Sequence, residues 1–222
     1  MIYKFSKFFG WKTVKTLRTK KTPFILKGAS NRFLDVEIGL SQFNDIYNKK
    51  ISTSDHFLVI AKDGLLIFPN DKERCIPEKS KIDELYNSGH TIAFNRVSKE
   101  IPCLCEQKRR LEMLIGEKMG NSIFMTPANS QGFPAHFDPV DIFIVQMNGC
   151  KEWTLYEKLT ENPIRPKAVP YPRNIIFKGI IKKGDVLYIP KGVVHEGKNK
   201  NIENQPSIHI SFGVLHKRDK VR

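Results

Sequence analysis

The sequence predicts a mainly β protein whose strands crowd into its C-terminal half, with helices and extra strands from the N-terminal half packed around them. Two patterns lead there. From residue 121 onward, short segments rich in branched and aromatic residues (NSIFMTP, VDIFIVQMN, KEWTLYE, NIIFKGII, GDVLYIP and SIHISFGV) alternate with Gly, Pro and Asn turns. Before residue 120 apolar residues recur at helical spacing instead, most clearly Leu104, Leu111, Leu114, Ile115 and Met119 within 104–119. Evenly spaced strands of this kind form sandwiches, barrels or jelly rolls.

In chain order, residues 3–18 place Phe5, Phe8, Phe9, Val14 and Leu17 among lysines, an amphipathic helix broken near Gly10 that packs on the domain. TPFILKGAS (22–30) is a strand closed by Gly28. LSQFNDIYN (40–48) is a short helix that Ser41 can cap. HFLVIAKDGLLIFP (56–69) reads as two strands around an Asp63-Gly64 turn. SKIDELYNSG (80–89) is a helix ended by Gly89, and TIAFNRV (91–97) returns to strand. The Pro-rich stretch 157–174 is a long irregular connection between the two sides of a barrel. The 222 residues suit one domain, 22–222, with a barrel core at about 121–215 and a basic segment, 1–21, ahead of it.

Composition narrows the function classes. No apolar run reaches membrane-spanning length, and MIYKFSKFFGWKTVK lacks the continuous apolar core and cleavage site of a signal peptide. Cys75, Cys103, Cys105 and Cys150 are too few to staple the chain, and Cys103–Cys105 has no second pair at zinc-finger spacing. Free thiols and a cytoplasmic location follow as the expectation. The net charge is +14, and residues 1–34 carry nine Lys or Arg and no acid. HKRDKVR (216–222) is basic as well. Such a distribution suits either a polyanionic partner (RNA, a ribosome or an acidic peptide) or a merely solvated lysine-rich surface.

The chemistry centres on 126–156, TPANSQGFPAHFDPVDIFIVQMNGCKEWTLY. Alternate residues of a strand share a face, so His136 and Asp138 stand side by side. With a distant imidazole, His195 of GDVLYIPKGVVHEG, they supply two nitrogens and one oxygen on one face of a metal, leaving the other face open. Lys151 follows the Asn148-Gly149 turn on the next strand and reaches the same opening. Trp153 and Tyr156 fit strand packing. Asp141 and Gln146 lie close enough to support the site or touch a substrate.

These residues resemble the JmjC-type 2-oxoglutarate oxygenases, especially the ribosomal oxygenases and the asparaginyl hydroxylase of hypoxia-inducible factor. The likeness rests on T-P-A-x-S-Q-G-x-x-x-H-x-D, on Q-x-x-G-x-K-x-W and on G-D-x-L-Y-I-P-x-G-x-x-H, in that order, and extends loosely over 22–215. The resemblance implies a double-stranded β-helix of the jelly-roll or cupin type. It implies Fe(II) on His136, Asp138 and His195, 2-oxoglutarate anchored by Lys151, and O2 as the oxidant. Hydroxylation of a side chain in a peptide or protein would then release succinate and CO2. Where the ribosomal oxygenases carry an Asn on the strand before the motif, this chain has Ser122, with Asn121 beside it. Where they carry a late Ser, it has Gly213, with Ser211 two residues earlier. Thr126, Ser122, Asn121, Ser211 and His209 are therefore the further candidates for cosubstrate contact. Two other functions fit the same residues: an oxygenase of tRNA or other nucleic acid, and a cupin-like metal module without 2-oxoglutarate chemistry.

Overall fold

The computed structural model describes residues 2–6, 10–51, 58–62, 65–67, 79–99, 102–164, 166–169, 174–200 and 204–215. The Asp63-Gly64 turn, Cys75, Phe8, Phe9 and the basic tail lie outside the described residues. The elements run β1 (Tyr3–Phe5), α1 (Trp11–Thr19), β2 (Phe24–Leu26), α2 (Ser30–Phe33), α3 (Leu40–Ile51), β3 (Leu58–Lys62), β4 (Leu65–Ile67), α4 (Lys79–Asn87), β5 (Thr91–Asn95) and a 3-10 turn at Val97–Lys99. They continue with α5 (Pro102–Ile115), β6 (Lys118–Thr126), β7 (Ser130–Gln131), β8 (His136–Phe137), β9 (Asp141–Asn148), β10 (Cys150–Lys158), β11 (Lys167–Ala168), β12 (Ile175–Lys182), β13 (Val186–Ile189), β14 (Val193–Asn199) and β15 (Ser207–Leu215).

Two sheets result. The larger runs β1-β2-β13-β9-β15-β6-β5-β3-β4, and the smaller β11-β8-β14-β10-β12, with β7 also on β14. The expectation of a closed barrel is corrected here: no described pairing joins one sheet to the other. Strands of the N-terminal half supply the reason. β2 bonds to β13 and β5 to β6, so both flanks of the central four strands already have backbone partners. Among the described residues, the two open sheets face each other through side chains.

Period-two alternation divides the larger sheet into two faces. Met119, Ile123 and Met125 of β6, Phe143 and Val145 of β9, and Ile208, Ile210, Phe212 and Val214 of β15 join Phe33, Phe43, Leu104 and Leu111 from the helices in one core. Phe24 and Tyr188 stack within it at 4.6 Å. On the opposite face Ile25, Ile142, Ile144, Leu187 and Ile189 meet Trp153, Leu155, Phe177, Ile181 and Val193 of the smaller sheet.

Several local outcomes differ from the periodicity reading. Residues 3–5 are a strand rather than helix, because parallel pairing with β2 satisfies their backbone. Among the described residues of this stretch the helix is Trp11–Thr19, burying Val14 and Leu17. The helix expected to 119 stops at Ile115, where Gly116 turns the chain at φ +87°. Glu112 then accepts the amide of Met119 at 2.9 Å, which starts β6. β5 ends at Asn95, before Arg96 at φ +53°. The Pro-rich connection does cross over, since β11 and β12 lie at opposite edges of the smaller sheet.

Arg18 ties α1 to the central strands, with Glu117 at 2.9 Å and Asp141 at 3.4 Å. Asp185 of the G-D motif accepts the amides of Gly28 and Lys182 and the Lys27 ammonium at 2.6 Å, fixing the turn into β13. Gly149, at φ +60°, makes the turn that delivers Lys151, and a Cβ there would stand 2.6 Å from the Pro206 carbonyl oxygen. Gly149→Ala combines a left-handed backbone with that collision. It should cost more than about 1–2 kcal/mol, read as a lower urea midpoint at unchanged slope.

Candidate active site

His136 on β8 pairs in register with His195 on β14, which brings together two imidazoles 59 residues apart in sequence. Asp138 lies just beyond the end of β8, and its carbonyl accepts the amide of Gly192 at 3.0 Å. One ligand atom from each of His136, Asp138 and His195 falls within 4.8 Å of the others. Asp138 Oδ2 is 3.7 Å from His195 Nε2.

Both rings are oriented by backbone. Nδ1–H of His136 donates to the Pro134 carbonyl at 2.7 Å, and Nδ1–H of His195 to the Val193 carbonyl at 3.0 Å. Carbonyl oxygens only accept, so each Nδ1 holds the proton and each Nε2 keeps its lone pair for a metal. Burial, followed by the neighbouring His136, pushes the His195 imidazole down to about 4, with Asp138 opposing. Neutral imidazole is the ligating form.

The triad opens into a cavity of about 510 Å³ between the sheets. At one end stands Lys151, only 4% exposed, whose ammonium donates to Thr126 Oγ1 at 2.7 Å. Thr91 Oγ1 donates to the same oxygen at 2.9 Å. No described acid pairs with Lys151, and burial pushes its amine down to about 7. His209 lies beside it, stacked on Phe124 at 4.6 Å and edge-on to Trp153 at 5.6 Å. Its Nδ1 is buried without a hydrogen-bond partner. Burial, then the charge of Lys151, holds this imidazole well below its ordinary range.

Farther along the same strands, Ser122 and Ser211 face each other in register, as do Gly120 and Gly213. Ser122 Oγ donates to Asn95 Oδ1 at 2.7 Å. Asn121 points the other way: it is buried on the alternate face of β6, where its Oδ1 accepts the amide of Ser98. Its side chain is engaged there, although the residue also borders the cavity. Ser122 shares the cavity face but stands four residues from Thr126, roughly 13 Å along an extended strand, so it serves the opposite end from Lys151. Thr126 and His209 are the candidates that the fold places beside Lys151.

The remaining candidates have supporting positions. Asp141 Oδ1 accepts the amide of Lys191, which fixes the turn leading to His195. The Gln146 amide donates to Ser207 Oγ and to the carbonyls of Asn148 and Ile208, at the register shift between Ile208 and His209. Tyr156 O–H and the Gln131 amide both donate to Glu196, on the far face of β14 from His195. Sequence reasoning missed Asn95, Phe124 and Phe133 as cavity residues. Counting by twos from Ser122 reaches Phe124, but nothing local points to Asn95.

A family model described as a JmjC domain matches residues 97–220. This chain belongs to the JmjC-domain family. Among relatives, it is 37% identical over 163 residues to the bifunctional lysine-specific demethylase and histidyl-hydroxylase NO66 of Drosophila melanogaster, covering 71% of this chain and 24% of that protein. It is 36% identical over 131 residues to ribosomal oxygenase 2 of Rattus norvegicus, covering 56% of this chain and 27% of that one. The chain thus spans about a quarter of the length of these relatives. The structure of YcfD, a ribosomal oxygenase from Escherichia coli, in complex with cobalt and 2-oxoglutarate superposes with a TM-score of 0.67 over 96% of this chain and 54% of that one, at 19% identity. That likeness is one of fold, and it agrees with the two-sheet JmjC architecture.

The buried imidazole gives this JmjC domain a pH signature. His195 titrates near 4 when folded, against 6.5 for a solvated imidazole, so the unfolded chain takes up the proton first. Metal-free protein should lose stability as pH falls from 6.5 towards 4, by up to about 3 kcal/mol from this group. Urea midpoints at pH 7, 6 and 5 should converge less steeply in His195→Gln.

Proposed function

We propose that this protein is an Fe(II)- and 2-oxoglutarate-dependent oxygenase that hydroxylates an amino-acid side chain in a peptide or protein. The carrying observation is one cavity lined by a three-ligand face and by a buried amine that has no carboxylate partner among the described residues. Two neutral imidazoles and one carboxylate on one face suit Fe(II) and leave positions open opposite. The metal with 2-oxoglutarate and O2 supplies the oxidising chemistry, releasing succinate and CO2.

The chain's own groups do the rest. His136, Asp138 and His195 would hold the metal with geometry set by the Pro134 and Val193 carbonyls. Lys151, braced by Thr126, would bind the distal carboxylate of 2-oxoglutarate. His209 offers a further polar edge there, and Phe124 and Trp153 keep that end apolar and dry. The relatives' names support a protein side chain as the target, and the free thiols of Cys103, Cys105 and Cys150 suit a cytoplasmic setting. No described helix is long and apolar enough to cross a membrane.

A polyanionic partner fits the exposed Lys12, Lys15, Lys20 and Lys21 of the N-terminal segment. Their helix cannot simply be cut away, because Val14, Leu17 and Arg18 are packed into the fold. The test is therefore charge reversal at Lys12 and Lys15. Recruitment through them should raise the substrate KM, and the parent's KM should climb as salt shortens the roughly 10 Å screening length at 0.1 M. KM values insensitive to both changes would remove these lysines from recruitment.

The reading itself is tested by succinate release with Fe(II), 2-oxoglutarate and candidate polypeptides or RNA. Lys151→Ala should raise the KM for 2-oxoglutarate on the order of 10- to 100-fold, the equivalent of about 1.5–3 kcal/mol for a charge-assisted pair. Metal affinity should stay unchanged. Because the free amine ionises near 7, dicarboxylate binding above that pH requires proton uptake. Affinity for 2-oxoglutarate should therefore weaken from about pH 7 to about pH 9 in the parent but not in Lys151→Ala, as titration calorimetry can measure.

A further inference from the structure

Very little strand holds the segment that carries His136 and Asp138. β8 has two residues, and its register with β14 is a single pair, His136 with His195. Pro139, directly after Asp138, has no N–H with which to extend that ladder. A metal face nonetheless needs its donors held to within about 0.5 Å.

The turn 190–193 continues the alignment. The Val193 amide closes it on the Pro190 carbonyl at 3.2 Å, with Gly192 at φ +78°. Its backbone is bonded outward on several sides. Gly192 N–H donates to the Asp138 carbonyl at 3.0 Å, and the Gly192 carbonyl accepts the amide of Leu159 at 3.1 Å. Lys191 N–H donates to Asp141 Oδ1 at 2.9 Å. The Val193 carbonyl then accepts Nδ1–H of His195 at 3.0 Å. A Cβ on Gly192 would collide with the Thr160 carbonyl oxygen, so the turn lies pressed against the chain that follows β10.

This turn touches two of the three ligands, Asp138 through its backbone and His195 through its ring. Asp141 is the side chain that fixes it. The residue is buried, and its second oxygen faces Arg18 Nη2 at 3.4 Å, on a guanidinium that also holds Glu117 at 2.9 Å. One carboxylate therefore spans from α1 to the turn, with Oδ2 towards the helix and Oδ1 on the Lys191 amide.

We infer that Asp141 is a positioning residue for the metal face. Its carboxylate holds the turn 190–193 where it sets the separation of the Asp138 and His195 donors, which is 3.7 Å between Oδ2 and Nε2. The inference rests on the metal-dependent reading above and adds to it a residue that acts through the turn.

The test is the Mn(II) affinity of the full chain, read from the free-ion signal in electron paramagnetic resonance. The visible spectrum of bound Co(II) gives a second reading, of donor geometry. Asp141→Ala should weaken Mn(II) binding on the order of 10- to 100-fold, as loss of groups that orient metal ligands does, and should shift the Co(II) bands. Asp141→Asn removes the same charge but keeps an oxygen that can accept the Lys191 amide. It should bind Mn(II) more tightly than Asp141→Ala and retain the parent's Co(II) bands. Lys191→Pro approaches the bond from its donor end, because proline suits the second position of such a turn and lacks the N–H. It should weaken Mn(II) binding as Asp141→Ala does while leaving Asp141 and Arg18 in place, and it serves if Asp141→Ala does not fold. Parent-like affinity in Asp141→Ala or Lys191→Pro would overturn the inference. Equal losses in Asp141→Asn and Asp141→Ala would overturn it too, by pointing to a through-space effect of charge. A parent that binds no Mn(II) would fail the metal-dependent reading itself, which keeps the two failures distinct.

Discussion

The apolar seam between the two sheets is the constraint on which the site depends. Ile25, Ile142, Ile144, Leu187 and Ile189 meet Trp153, Leu155, Phe177, Ile181 and Val193, and no described backbone pairing reinforces the contact. Sheets packed face to face stand about 10 Å apart. Where both faces carry large apolar groups, the space is filled. Where β6 and β15 carry Gly120, Ser122, Ser211 and Gly213, the same spacing leaves a cavity. Site and core are thus two ends of one interlayer gap, distinguished by side-chain size.

The cavity concentrates polar groups that burial alone would disfavour. A fully buried amine, a deprotonated imidazole at His209 and a pair of imidazoles at the triad coexist with few acids. Such an arrangement is costly when empty and favourable when an anion and a divalent cation fill it, the usual trade of stability for binding at functional sites. Backbone carbonyls do much of the orienting. The Pro134 and Val193 carbonyls set the tautomers, which leaves each Nε2 with its lone pair.

The basic N-terminal segment has a structural part that its composition hides. β1 extends the larger sheet beside β2, and Arg18 reaches Glu117 and Asp141. Asp141 in turn holds the Lys191 amide in the turn before His195. The chain of contacts runs from α1 to the third candidate ligand, which gives the segment a bearing on the site independent of any partner.

How much of this was legible depended on whether local pattern or long-range pairing decided the matter. Period-two alternation and Gly-Pro-Asn punctuation were enough to locate the later strands. His136 and Asp138 suggested a metal face by their spacing, and the motifs resembling the JmjC-type oxygenases were needed to nominate His195 and Lys151 beside them. The boundary of α5 and the strand at residues 3–5 were not legible. A helix-like run yields to strand when a neighbour such as β2 offers hydrogen bonds that sequence periodicity does not record. Asn121 and Ser122 were equally plausible in one dimension, and only the register of β6 assigned them to opposite faces. Barrel closure was likewise decided in three dimensions, by N-terminal strands that had already taken the edges of the central sheet. The sequence by itself determined which side chains are available for chemistry; tertiary structure decided which of them share a cavity, because a single-residue change of register on a strand turns a side chain to the other side of the sheet.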